Sequence, residues 1–109
     1  MIQREYSNIE TIVSEFGAFF QDPAPVNGIV EDPKRIDFIR RYLTAMGSAI
    51  RQGVNLKGAL YWTVTDNWEW AEGFTPTFGL AQLDRLTLAR IPKRSLLYLG
   101  DCAKQNKVL

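Results

Sequence analysis

The sequence contains no histidine. That absence excludes imidazole acid–base chemistry and His-ligated metal sites. There is a single cysteine, Cys102, so no disulfide can form within the chain. One free thiol suits a reducing compartment and predicts a cytoplasmic protein. No apolar run approaches the roughly 20 residues that a membrane span needs. The stretch Met1–Tyr6 lacks the apolar core of a secretory signal. Neither sign of charge dominates: 13 basic residues face 12 acidic ones, a net +1. A balance of this kind argues for neither a nucleic-acid partner nor a membrane partner. No internal repeat or low-complexity segment stands out.

What is present is globular material, 46% hydrophobic over 109 residues, enough for one small domain. Its centre is the stretch Tyr61-Trp-Thr-Val-Thr-Asp-Asn-Trp-Glu-Trp-Ala-Glu-Gly73, which holds all three tryptophans. The apolar run Ala59–Val64 leads into it and reads as a buried strand. Asp66-Asn67 ends that strand, and Trp68-Glu69-Trp70 follows where the chain should turn over a surface. On composition alone the commoner arrangement is a Trp-rich minicore closing a long loop. The sharper reading is a carbohydrate site, in which flat aromatic faces stack on a sugar ring and a carboxylate grips its hydroxyls.

Along the chain, residues 1–8 are polar and read as a frayed remnant. Ile9–Ser14 is a β-branched run that predicts a strand, ending at Glu15-Phe16-Gly17. A carboxylate at a strand end beside a glycine can be aimed at a ligand; a solvated strand-end glutamate is the commoner case. Residues 18–31 carry the turn signals Asp22-Pro23, Pro25 and Asn27-Gly28. Asp32 suits a helix N-cap and Pro33 the first helical turn. Ile36, Ile39, Leu43, Met46 and Ile50 then mark one helix face, and Gly53 suits the C′ position. A second strand starts near Leu56. Strand, long helix and strand with short joints make a βαβ unit with parallel strands. Neither strand alternates cleanly, which predicts burial on both faces. Residues 78–83 suit a short extra strand, and Ile91-Pro92-Lys93 opens a second helix running to Ala103. The organisation expected is residues 1–8, a βαβα portion over 9–103, and a polar tail over 104–109.

Val13-Ser14-Glu15-Phe16-Gly17, Asp32-Pro33-Lys34-Arg35-Ile36-Asp37, Gly53-Val54-Asn55-Leu56-Lys57-Gly58, Tyr61-Trp62 through Trp70-Ala71-Glu72-Gly73-Phe74, Phe78-Gly79-Leu80 and Pro92-Lys93-Arg94-Ser95 occur in that order. Together they resemble the C-terminal part of the family-one glycoside hydrolases, the β-glucosidase and β-galactosidase group, over residues 9–100. The resemblance implies an α/β fold: the C-terminal two βα units of a (β/α)8 TIM barrel, incomplete on their own. It implies the retaining mechanism, in which one carboxyl group is nucleophile and another acid/base. By this resemblance Glu15 falls on the nucleophile, Trp62 on the platform under the sugar and Glu69 on the carboxylate that binds its distal hydroxyls. Trp70 falls on a second tryptophan against the same ring, and Phe78 on an aromatic lining the aglycone side. No metal and no organic cofactor are implied.

Two departures from the family pattern bear on activity. Ser14-Glu15-Phe16-Gly17 stands where the family has Thr-Glu-Asn-Gly, so an apolar ring replaces an amide beside the nucleophile. The family's Asn-Glu-Pro acid/base motif is absent. The barrel type needs about 250 residues, more than twice this chain. The expectations are therefore an enzyme part inactive alone, with a non-catalytic sugar-binding module and an inactive remnant as alternatives. The expected partners are a β-glycoside or monosaccharide, and either the remaining barrel segment or further copies of the chain.

Overall fold

The computed structural model describes residues 2–109, so Met1 of the 1–8 segment lies outside the described residues. A single helical turn, α1 (Ile2–Glu5), precedes strand β1 (Thr11–Phe16). Helix α2 (Pro33–Arg51) returns the chain to strand β2 (Leu56–Tyr61). After an excursion come the short strands β3 (Ala81–Leu83) and β4 (Arg90–Pro92), and then helix α3 (Arg94–Gln105). β1 and β2 pair in parallel and β3 and β4 antiparallel. α2 packs against both α3 and β2.

Several boundaries differ from those read in the sequence, each for a physical reason. β1 starts later and includes Glu15, because Asn8 diverts the chain before it. The Asn8 side chain donates to the Gly53 carbonyl (2.8 Å) and accepts from the Asn55 N–H (3.0 Å), so residues before Ile9 are tied to the α2–β2 joint. β2 ends at Tyr61: Trp62 makes a last bond to Phe16, and from Thr63 the chain pairs with Leu80 and Ala81 instead of with β1. Only Ala81–Leu83 of the expected extra strand forms, and Ile91-Pro92 belongs to its partner strand rather than to a helix. α3 passes Ala103 and Lys104 to reach Gln105, where Asn106 closes it in a left-handed conformation (φ 48°). Gly53, at φ 92°, does occupy the left-handed position after α2 that glycine favours.

The expectation that both sheet faces are buried does not hold within the chain. Ile12, Leu60 and Val64 are 60%, 62% and 65% exposed, because only one face carries helices. Of the α2 stripe, Ile39 is fully buried and Ile50 exposed. The molecule is a slab of 50 × 33 × 18 Å with a radius of gyration of 15.8 Å. A compact domain of this length would have about 13 Å. Among the described residues no third strand pairs with β1 or β2 along its length.

Among the described residues the largest fully buried side chains are Arg35 and Lys93. Arg35 grips Asp22 with two hydrogen bonds, Nη1 to Oδ1 at 2.7 Å and Nη2 to Oδ2 at 3.0 Å. It also donates to Asp32 Oδ2 at 2.7 Å. Lys93 Nζ donates to Asp22 Oδ2 at 2.7 Å and to Asp66 Oδ1 at 2.9 Å. Asp32 stands at the N-cap position of α2, yet among the described residues it makes no side-chain cap there. Its carboxylate instead accepts from the Ser95 N–H (2.9 Å) and hydroxyl (2.6 Å), capping α3. One aspartate thus pins the starts of both helices together.

Burial alone would raise the pKa of Asp22. The hydrogen bonds and charges of Arg35 and Lys93 outweigh it and hold the carboxyl below the ordinary value of 3.8. A carboxylate depressed in this way stabilises the fold above its unfolded pKa, and the contribution is lost as pH falls through the folded value. Asp22→Asn is expected to cost about 3–5 kcal/mol near neutrality, because it leaves two buried cations underpaired. In urea titrations that gap should hold down to about pH 4 and narrow below it. A gap unchanged at about pH 2 would show that the charge of Asp22 contributes nothing.

Candidate functional site

The site is assembled at the carboxyl ends of β1 and β2. The register runs Val13↔Ala59 and then Phe16↔Tyr61, so β1 spends one more residue than β2 over the same length. This is a β-bulge, which reverses the face on which later side chains emerge. Phe16 accordingly turns to the helix side, 6% exposed, edge-on to Tyr61 (5.3 Å) and stacked with Tyr42 of α2 (6.1 Å). Glu15 is left exposed, as are Ile12, Leu60, Trp62 and Val64 on the face without helices. The Phe16 that replaces a polar residue in the family pattern is thus a core aromatic.

Trp62 is joined to the same strand end, its N–H donating to the Phe16 carbonyl at 2.9 Å. Its peptide bond to Thr63 is cis. Gly17 passes so close that a Cβ there would lie 2.0 Å from the Trp62 carbonyl oxygen. Beneath them the Tyr61 hydroxyl donates to the Phe78 carbonyl (3.3 Å). Burial pushes the pKa of Tyr61 up to about 12, although the nearby Arg35 opposes the rise.

Beyond β2 the chain runs beside residues 80–81, with Leu80 N–H on the Thr63 carbonyl (3.0 Å) and Ala81 N–H on that of Val64 (2.8 Å). It then leaves as a loop. Within the loop, Glu69 N–H donates to the Gly73 carbonyl at 2.7 Å around a short 3₁₀ turn, Trp70–Glu72. Trp70 has φ 41° and is 84% exposed. A bulky side chain in the left-handed region costs about 1–3 kcal/mol, and such strain gathers at ligand sites. The tryptophans divide between the two readings of the sequence. Trp68 packs edge-on against Phe74 (5.5 Å), on whose ring the Arg85 guanidinium lies (4.6 Å), an aromatic contact that still leaves it 65% exposed. Trp62 is 41% exposed at the end of β2, and Trp70 stands exposed on the loop.

Of the residues singled out in the sequence, Glu15 and Trp62 are brought to neighbouring strand ends. Glu69, half-buried, and Trp70 share the loop above β2. Phe78 packs towards Phe19 at 6.4 Å, and its carbonyl accepts from Tyr61, the neighbour of Trp62. Among the described residues no group of three His, Cys, Asp or Glu side chains could hold a metal ion, and no helix is long and apolar enough to cross a membrane. Sequence reasoning missed Asp22, Arg35, Asp66 and Lys93 as a cluster. The signal available was the spacing of Asp32 and Arg35, three residues apart at a helix start.

Comparison with known proteins gives a concordant result. Residues 1–108 match the model of a family described as Glycosyl hydrolase family 1. The chain is 39% identical over 106 residues to β-glucosidase A of Acetivibrio thermocellus and 37% identical over 105 residues to β-glucosidase A of Thermotoga maritima. These matches cover 97% and 96% of this chain but 24% of each relative, so the chain spans about a quarter of their length. A 6-phospho-β-galactosidase of Lacticaseibacillus casei is 38% identical over 89 residues, 78% of this chain and 19% of that protein. The structure of the Thermotoga maritima β-glucosidase with galacto-hydroximolactam superposes with a TM-score of 0.94 at 36% identity, over 99% of this chain and 25% of that one. Those neighbours are TIM barrels, and the slab described above is a partial barrel.

The Gly17–Trp62 approach leads to a direct test. Gly17→Ala must push the two strand ends apart, at about 1–3 kcal/mol by analogy with overpacked cores. The expected result is a lower urea midpoint together with an altered near-ultraviolet circular dichroism band from Trp62. Unchanged values for both would mean that the close approach is dispensable.

Proposed function

The chain belongs to glycosyl hydrolase family 1, and from that premise we propose that it is the nucleophile-bearing, C-terminal part of a retaining β-glycosidase. On this reading its two βα units are the last two of the eight. Glu15 attacks the anomeric carbon of a terminal β-glycoside while the aglycone oxygen departs with a proton from the acid/base carboxyl. The resulting glycosyl ester is then hydrolysed by water, activated by that same acid/base group. Trp62 and Trp70 hold the faces of the sugar, Glu69 accepts hydrogen bonds from its distal hydroxyls, and Phe78 borders the aglycone. Glucosides, galactosides and fucosides all offer hydroxyls that Glu69 can bind.

The single observation that carries the reading is the bulge in β1. It turns Glu15 out of the helix layer onto the open face, at the carboxyl end of the strand and beside Trp62. Barrel active sites are built at that end. The family's acid/base motif does not occur in the chain, so the donor for the leaving group comes from the remainder of the barrel.

Two outcomes follow from the reading. Alone, the chain is expected not to turn over an unactivated alkyl β-glucoside, since general-acid help worth about 10²–10⁴-fold is missing. Residual activity should appear first with a dinitrophenyl β-glucoside, whose leaving group needs little protonation, and should vanish in Glu15→Gln. Steady turnover of the alkyl glucoside, lost in the same variant, would place an acid within this chain.

The second outcome concerns assembly. Burying a few hundred Å² of the open face yields several kcal/mol at roughly 25 cal/mol per Å², and exposed patches of that kind mark interaction surfaces. The purified chain should self-associate, or gain amide protection on mixing with a segment carrying the other six βα units of a related barrel. A sharp monomer in sedimentation with strongly protected β1 and β2 amides would overturn this.

A further inference from the structure

The loop that carries Glu69 and Trp70 is held from below. Its first end is Asp66, 7% exposed, whose N–H donates to the Ala81 carbonyl at 3.0 Å. Its last end is Gly79, whose N–H donates to Asp66 Oδ1 at 2.8 Å. The two ends touch so closely that a Cβ on Gly79 would lie 2.3 Å from the Asp66 nitrogen and 2.6 Å from its Oδ1. The loop is therefore closed at its base, as in compact Ω-loops. Two cations then fasten that base to the rest of the chain. Lys93 donates to Asp66 Oδ1 at the first end. Arg35 Nη2 donates to the Thr77 carbonyl at 2.7 Å near the last end, while the Thr77 hydroxyl donates to the Phe20 carbonyl. Both cations meet on Asp22, which lies on the segment that continues from Glu15.

Stability alone is a weak reason to bury such a cluster. Desolvation of the charges offsets most of their attraction, and apolar replacement of a buried ion pair is often neutral. Geometry is the stronger reason. The loop tip has little apolar cover: Trp70 is 84% exposed in a left-handed conformation. Apart from the Arg85 guanidinium on Phe74, its position is set by its base. We propose that Lys93 and Arg35 are positioning residues, clamping both ends of the 66–79 loop onto Asp22 and so fixing Glu69 and Trp70 relative to the Glu15 strand. The functional meaning of the clamp rests on the sugar-site reading above; its mechanics do not.

The test is the double variant Lys93→Met/Asp66→Asn, which removes one charge of each sign and leaves Asp22 on Arg35. Amide hydrogen exchange in the loop is compared with that in β1 and β2, in whatever assembly the parent forms. The clamp predicts loop amides exchanging at least about tenfold faster with strand amides within about twofold, a sub-global opening. Equal changes in loop and strands, or none, overturn it. Should the double variant fail to fold, Asp66→Asn alone, which keeps the side-chain shape and leaves Lys93 on Asp22, decides by the same comparison. Lys93→Arg, which keeps the charge, should leave loop protection as in the parent. The indole N–H resonance of Trp70, titrated with D-glucose, separates the two layers of the argument. A resonance that does not move in the parent, with the exchange result as expected, retains the clamp and removes the sugar reading. A resonance that moves equally in parent and double variant overturns the positioning role.

Discussion

The carboxylate of Asp22 is the point on which the chain depends. It receives Arg35 from the first turn of α2 and Lys93 from the residue before α3. Those same cations reach Asp32, Asp66 and Thr77. Segments far apart in sequence thereby share one anchor: the run after β1, the starts of both helices, and both ends of the loop after β2. Water cannot substitute for any partner at so enclosed a point, and removal of one leaves a buried charge whose desolvation is uncompensated. The apolar core is thin: among the described residues Phe16, Val30, Ile39, Leu80, Ala81 and Cys102 are buried, and of these only Val30 and Ile39 completely. Directional bonds rather than area orient the pieces.

The division of labour between the two faces follows from this. The helix side holds the aromatic ladder of Phe16, Tyr42, Phe38 and Phe20 together with the ionic anchor, although Tyr42 at its outer end is 47% exposed. The open side holds Ile12, Leu60 and Val64 with Glu15 and Trp62, a mixture of packing and chemical groups. Seen alone it is an unfinished interior, and a partial barrel is the arrangement in which such a surface makes physical sense.

The element order was legible in the sequence because each signal was local. Pro33 and the Ile36–Ile50 stripe define α2, Gly53 its end, and the β-branched run at Ile9–Ser14 the neighbourhood of β1. The resemblance at Asp66–Gly73 and Ser14–Gly17 identified the family. The anchor was not legible, because burial of Arg35 and Lys93 depends on partners tens of residues away. A charged residue on a helix reads as solvated until its neighbours are known. Asp32 illustrates the limit well: its N-cap signature is local and correct in position, while its bonds serve a different helix. The bulge was hidden for the same reason. One extra residue in β1 is visible only against the register of β2.

That extra residue has a consequence for how the chain can change over generations. Loss of Phe16 would set Glu15 opposite Tyr61 in regular register after Val13↔Ala59, while removing an aromatic that is buried in the core. It would turn the Glu15 side chain inward, against Tyr42 and the helix layer, where an ionised group is penalised; loss of Ser14 would not, because Glu15 would take its outward place. The inward seat of Phe16, more than the length of the strand, therefore keeps the carboxylate on the open face. Changes at the exposed Ser14 can be absorbed, whereas loss of the Phe16 codon would remove the core aromatic and the outward carboxylate together.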